Sequence, residues 1–155
     1  MNPILLSALL SMTPVGELRA GLPAAFISGL SPWLAYTVCV LANALVAPIV
    51  FFFLEYLHKH FMHVGAYRSM FDRFMERTRH KTEHYVKKYG YWGLAIFVAV
   101  PLPFTGAYTG ALAAWFFGMD KWKAFWSIFI GVAIAGGIVL AVLLTGATAL
   151  KWVVA

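Results

Sequence analysis

The chain has 155 residues, 62% of them hydrophobic and 12% charged, with a mean hydropathy of +0.79. Soluble domains carry about 25% charged residues, so this composition excludes an ordinary soluble protein and points to a single integral membrane domain, 1–155. Net charge is +6, and the single cysteine, Cys39, excludes an intrachain disulfide and is left a packing role.

Residues 1–16 carry no charged side chain. The apolar run 3–12 would be about 15 Å long as a helix, half of a hydrocarbon core of about 30 Å. No basic segment precedes it, so it does not read as a cleaved signal peptide. TPVGELRAGLP follows. Thr13 suits a helix cap and Pro14 a first helical position, which predicts a half-length helix over about residues 14–29. Gly29, Ser31 and Pro32 break the apolar run, and a full crossing is expected over about 33–57.

Residues 55–88 differ in composition. They hold Lys59, Arg68, Arg73, Arg77, Arg79, Lys81, Lys87 and Lys88 against Glu55, Asp72, Glu76 and Glu83. Tyr67, Met70, Phe71, Phe74, Thr78 and Tyr85 recur near helical spacing, so the segment reads as an amphipathic helix along the membrane surface or the bundle. Glu83 and Lys87 form an i,i+4 pair in the favoured order. A basic loop obeying the positive-inside rule explains this charge better than nucleic-acid binding does. All five histidines lie here; His80 and His84 are four apart, but no wider ligand signature accompanies them, so no metal site is assigned.

Residues 89–119 are again uncharged and contain PLPFTG. Pro101 and Pro103 each remove a backbone donor, and Gly106 and Gly110 permit close turns. Broken helix at membrane depth is tolerated where protein buries it or where it lines a watery cavity, so PLPFTG reads as the tip of a re-entrant hairpin, the alternative being one kinked crossing. Asp120, Lys121 and Lys123 mark a return to water, and 124–150 gives a second full crossing. Gly131, Ala135, Gly136 and Gly137 suit close helix packing, and the face around Gly131 and Ala135 is a candidate contact for a second copy.

A shift of 89 positions superposes Pro14 on Pro103, Gly21 on Gly110, Gly29 on Gly118 and Trp33 on Trp122. Ala24, Ala25 and Ala35 fall on Ala113, Ala114 and Ala124, and Phe26 and Tyr36 meet the aromatics Trp115 and Phe125. The expected fold is therefore all-α and membrane-integral: an inverted repeat of re-entrant hairpin plus transmembrane helix (about 3–57 and 89–150), joined by a cytoplasmic amphipathic helix (58–88). This arrangement puts ten of the twelve Lys and Arg residues on one face, so the basic loop is expected in the cytoplasm and both termini outside the cell membrane. Hairpin backbone must be covered by protein, which predicts a homodimer or larger assembly among the membrane lipids.

Two stretches, ELRAGLP with the AN and P of LANALVAP, and YGYWGLAIFVAVPLPFTGAYTGALAAW, resemble the putative small multi-drug export protein family over nearly the whole chain. Its usual forms are PLPGTGAWTG and GN, from which Phe104, Tyr108 and Ala42 depart. The resemblance implies export of small molecules. A more distant resemblance links TPVGE and YVKKYGYWGLAIFVAVPLPFTG to the DedA family, which includes lipid scramblases and polyprenyl-phosphate translocases. That family carries arginines around its second motif, where this chain has Val98 and Tyr108.

Glu17 and Arg19 are the ionisable side chains expected at membrane depth, where such residues mark functional sites by default. Two apart on a helix, they do not face each other, so each needs another partner: a substrate, a proton, the partner subunit, or Thr105, Tyr108 and Thr109 on the other tip. The structural alternative is that Glu17 complements the helix N-terminus and Arg19 snorkels or pairs across hairpins. Glu17 is the candidate for proton exchange, and Arg19 offers donors to a carboxylate or phosphate. Two helix N-termini aimed at a shared centre would suit an anion, with Thr13, Thr105 and Thr109 adding hydroxyls. Asn43 either lines the same cavity or bonds between helices. The candidate site is thus Glu17, Arg19, Thr13, Asn43, Pro101, Pro103, Thr105, Gly106, Tyr108, Thr109 and Gly110, with no catalytic residue, metal or cofactor. Three functions remain open: a proton-coupled small secondary transporter, a translocase or scramblase of anionic lipids, and a docking protein that works through its basic helix.

Overall fold

The computed structural model describes residues 2–14, 16–61, 63–100 and 105–154, with side chains at all of these except 59, 60, 67 and 147–154. Pro101 and Pro103 lie outside the described residues, and with them the centre of the PLPFTG break. Among the described residues all regular structure is helical: α1 Pro3–Ser11, α2 Glu17–Ile27, α3 Pro32–Ala44, α4 Val46–Phe52, α5 His58–Phe61, α6 Gly65–Ala99, α7 Ala107–Phe116 and α8 Lys121–Val154, with a π turn at Phe53–Leu57.

α1 and α2 have 9 and 11 residues, so each is about 14–16 Å long. They pack side by side because Gly21 has no side chain: a Cβ there would fall 1.9 Å from Ser11 Oγ and 2.6 Å from the Ser7 carbonyl oxygen. The buried serine hydroxyls are spent within α1, Ser7 on the Ile4 carbonyl at 3.0 Å and Ser11 on the Ser7 carbonyl at 2.8 Å. Gly16 N–H donates to Thr13 Oγ1 at 3.3 Å, but this bond closes a turn and caps no helix, since Gly16 stands at the start of α2 without a side-chain cap. Regular helix starts only at Glu17, three residues later than the Thr13–Pro14 pairing predicts, because Glu17 takes φ +48° and interrupts the first turn.

The helix α6 is sharply bent. Gly90 has φ 56° and ψ −126°, a conformation that costs a side-chain-bearing residue dearly. Past it the chain folds back, so that the rings of Tyr85 and Phe97 lie 6.3 Å apart, where straight helix would separate them by about 18 Å. Residues 91–99 thus make an arm as short as α1, and α7 returns beside it. Gly110 is the point of contact: a Cβ there would meet Val98 Cγ2 at 2.7 Å.

The 89-residue shift extends to the hydrogen bonds. After α2, Ser28, Gly29 and Leu30 donate to the carbonyls of Ala24, Phe26 and Ala25. After α7, Phe117, Gly118 and Met119 donate to those of Ala113, Trp115 and Ala114, each 89 positions on. Gly29 and Gly118 take φ +81° and +63°. The next helices open alike, with Ala35 N–H on the Ser31 carbonyl and Ala124 N–H on that of Asp120.

Two helical stretches, Pro32–Leu57 and Lys121–Gly146, are long and apolar enough to cross a membrane. Their surfaces are consistent with that solvent: Trp126, Ile130, Ile134, Ile138 and Val142, at i,i+4 spacing on α8, are all exposed. The two cross where Gly136 meets Val40 and Tyr36, and Tyr36 Oη donates to the Ala133 carbonyl at 2.9 Å. The face around Gly131 and Ala135, a candidate for contact with a second copy, is instead used within the chain. A Cβ on Gly131 would lie 2.6 Å from the Ala95 carbonyl oxygen and 2.7 Å from Val98 Cβ, and Ala135 is buried.

The basic segment is helical and amphipathic as expected: Phe71 and Phe74 are half-buried and Thr78 buried, the buried stripe adds Met75, Thr82 and Val86, and Met70 and Tyr85 are exposed. The threonines enter this stripe because Thr82 Oγ1 donates to the Thr78 carbonyl at 2.7 Å within the helix. Lys87 pairs with Glu83 as expected and holds its carboxyl below the usual range. At the other end the His58 ring lies 4.1 Å from Phe71 and 5.5 Å from Trp115. Burial holds the His58 imidazole below its ordinary pKa of 6.5, with Asp72 pulling the other way. The folded state therefore binds fewer protons there than the unfolded chain, so this stability is complete above pH 6.5 and fades as pH falls below it. Acidification slows intrinsic amide exchange, but the protection factors of residues 68–78 are expected to fall with it, and His58→Phe to remove that fall.

Candidate functional site

The two hairpin tips meet, and each supplies what the other lacks. The carboxylate of Glu17, from the first tip, sits on the backbone that opens α7. Tyr108 N–H donates to Oε1 at 3.4 Å, and the Ala107 N–H bonds the same carboxylate. A Cβ on Gly106 would fall 1.3 Å from Glu17 Oε2, so glycine is what leaves room for the acid. Glu17 is 8% exposed and is, among the described residues, the one non-glycine with positive φ, a conformation costing about 1–3 kcal/mol. The anion-binding end of α7 is therefore filled by the protein's own carboxylate, worth up to about 2 kcal/mol where partly buried.

Arg19 goes to the opposite dipole end of the same broken hairpin. Its Nη2 donates to the carbonyl of Val100, which closes the 91–99 arm, at 3.2 Å, to Thr105 Oγ1 at 3.0 Å and to the Thr105 carbonyl at 3.4 Å. A helix that stops and restarts exposes partial negative charge where it stops and partial positive charge where it restarts. Arg19 and Glu17, two residues apart, answer the two ends separately. This is why they need not neutralise each other.

The exchange runs in both directions. Tyr108 stands 89 positions after Arg19, and its hydroxyl donates to the carbonyl of Met12, at the end of α1, at 2.6 Å. Each tip thus sends one donor to the carbonyl that ends the other hairpin's first arm. The 89-residue shift pairs Arg19 with Tyr108 in sequence, and Thr105 was an expected partner of Arg19, but the carbonyl acceptors of Val100 and Met12 were not foreseen because any residue supplies a backbone carbonyl.

The threonines proposed as ligand donors are engaged by the protein itself. Thr13 Oγ1 donates to the Leu10 carbonyl at 2.7 Å and Thr105 Oγ1 to that of Val100 at 2.7 Å. Thr109 Oγ1 accepts from Gly106 N–H at 3.0 Å as the cap of α7. Gly110 serves packing one turn below.

Asn43 is 3% exposed, and its Oδ1 has no hydrogen-bond partner among the described residues. The interhelical bond considered for it is therefore not formed by that atom. Cys39, one turn earlier on α3, faces Ser7 and Ser11 of α1. Asn43 follows one turn, about 6 Å, further along the same face of α3. A buried carbonyl oxygen left unpaired in this way calls for a partner.

No curated protein and no solved structure matches the chain. A family model described as putative small multi-drug export protein matches residues 17–138, a range that opens on Glu17. With two apolar helices of spanning length and a match over most of its sequence, the chain is a membrane protein and belongs to the putative small multi-drug export protein family.

Proposed function

We propose that this chain is a proton-coupled secondary transporter that exports small molecules, built as two inverted units of re-entrant hairpin plus crossing helix. The observation that carries the reading is the Glu17 carboxylate, buried and held across the hairpins on the first backbone amides of α7. Protonating it removes the negative charge from that helix end and weakens the bond joining the tips. A proton at Glu17 and the docking of one hairpin on the other are then linked, as coupling requires. Asn43, buried with an unpaired carbonyl oxygen, is a further polar group available within the bundle.

The inverted arrangement is supported by arms too short to cross and by the distribution of charge. It puts the basic part of α6, up to residue 88, and the start of α8 on the cytoplasmic side and Ser31 outside. Single cysteines at Ser69 and Met119 are expected to label from the cytoplasmic side and one at Ser31 from outside; opposite accessibility of positions 69 and 119 would refute the arrangement.

The function is tested in liposomes holding the purified chain under a pH gradient, with organic cations and labelled phospholipid offered in parallel. Glu17→Gln keeps the shape of the side chain and is expected to insert and fold but to lose pH-driven flux. Normal pH-dependent flux in a well-folded Glu17→Gln would end the proton-coupling assignment. Movement of phospholipid alone would replace export with lipid translocation.

A further inference from the structure

Away from the hairpin tips, the ends of the two spanning helices flank an open cleft, a cavity of about 470 Å³. Phe52 and Tyr56 line it from the first span, their ring centroids 4.8 Å apart. Trp122 and Phe125 line it from the second, 6.1 Å apart and nearly parallel at 22°. Glu55 and Lys121, paired with each other and both about half-exposed, complete the lining. Glu55, Tyr56 and their neighbours lie in the π turn Phe53–Leu57, a local widening of the helix that recurs at functional sites.

We propose that this cavity binds hydrophobic organic cations, with Glu55 as counter-ion and Lys121 as the internal cation that the ligand replaces. The volume is that of a site for a drug-sized molecule. Aromatic faces attract cations and give an apolar ligand a surface to cover. The wall is aromatic from both helices, which suits a bulky apolar body rather than a small solvated ion. A carboxylate among such rings selects positive charge, and Lys121 already shows the carboxylate accepting it. Breaking a half-exposed ion pair costs at most about 1 kcal/mol, so a cation that also covers the rings can take the place of Lys121. As the loading site for exported molecules the cavity rests on the export reading above; as a binding site it stands without it.

The two charged residues make opposite predictions, which provides the test. Tetraphenylphosphonium and tetraphenylborate have the same shape and opposite charge. Each is titrated by calorimetry into the full chain in nanodiscs, with empty nanodiscs subtracted for partition into lipid. Tetraphenylphosphonium is expected to bind wild type, about tenfold more weakly to Glu55→Gln, and several-fold more tightly to Lys121→Gln, where its competitor is gone. Tetraphenylborate is expected to bind poorly to wild type and worse to Lys121→Gln. Equal affinities across the three proteins, or cation binding that needs Lys121, would overturn the proposal, and tight tetraphenylborate binding lost with Lys121 would make the cavity an anion site. Glu55 and Lys121 are half-exposed, so neither variant should prevent folding. Binding as expected without flux of tetraphenylphosphonium under a pH gradient would leave the site standing and count against export.

Discussion

Gly106→Ala is expected to expel the Glu17 carboxylate and abolish pH-driven transport. Gly106 has φ −123° and ψ −157°, extended backbone that alanine adopts freely, so the substitution adds no local strain. The added methyl would occupy the place of Glu17 Oε2, only 1.3 Å from it. The acid must then leave the amides of Ala107 and Tyr108. Losing hydrogen bonds to a charged, buried group costs about 1.5–3 kcal/mol. The assignment of this cost to the carboxylate can be tested by a double-mutant cycle. In a Glu17→Ala background the methyl finds empty space, and Gly106→Ala should become nearly neutral in thermal unfolding, within about 0.5 kcal/mol. Equal destabilisation in both backgrounds would mean that the cradle is not what glycine provides.

Arg19→Ala is expected to separate the tips and to remove flux under any gradient. Its Nη2 is shared among the Val100 carbonyl, the Thr105 carbonyl and the Thr105 hydroxyl, so three acceptors lose one charged donor. The Val100 carbonyl keeps the Thr105 hydroxyl as a partner, which limits the loss to about 1–3 kcal/mol. Arg19→Lys should recover only part, since a compact ammonium on a shorter stem does not match the reach of the guanidinium. Tyr108→Phe removes the corresponding bond to Met12 and should cost less, because that donor is uncharged and part-buried. Thermal unfolding of purified variants, read beside liposome flux, ranks them. Arg19→Ala with unchanged stability and flux would remove the cross-hairpin bond from the mechanism.

Much of the architecture could be read in the sequence because its signals are local. Apolar length set the two spans, and charge set the basic helix between them. The 89-residue shift foretold Gly29 and Gly118, whose positive φ and surrounding hydrogen bonds recur in register. The pairing of the two tips was partly legible: Glu17 and Arg19 at membrane depth require partners, and Thr105 and Tyr108 were candidates. Which atoms they would find was not legible. Apart from the Thr105 hydroxyl, the acceptors of Arg19 and Tyr108 are main-chain carbonyls, and the seat of Glu17 is the space above a glycine, neither of which leaves a side-chain signal. Gly131 shows the same limit from the other side. Its small size promised a close helix contact, but only the fold decided that the contact is with Ala95 and Val98 of the same chain. Composition and periodicity report what a residue must avoid or requires nearby; which group meets the requirement depends on distances between segments far apart in sequence, and tertiary packing alone sets those.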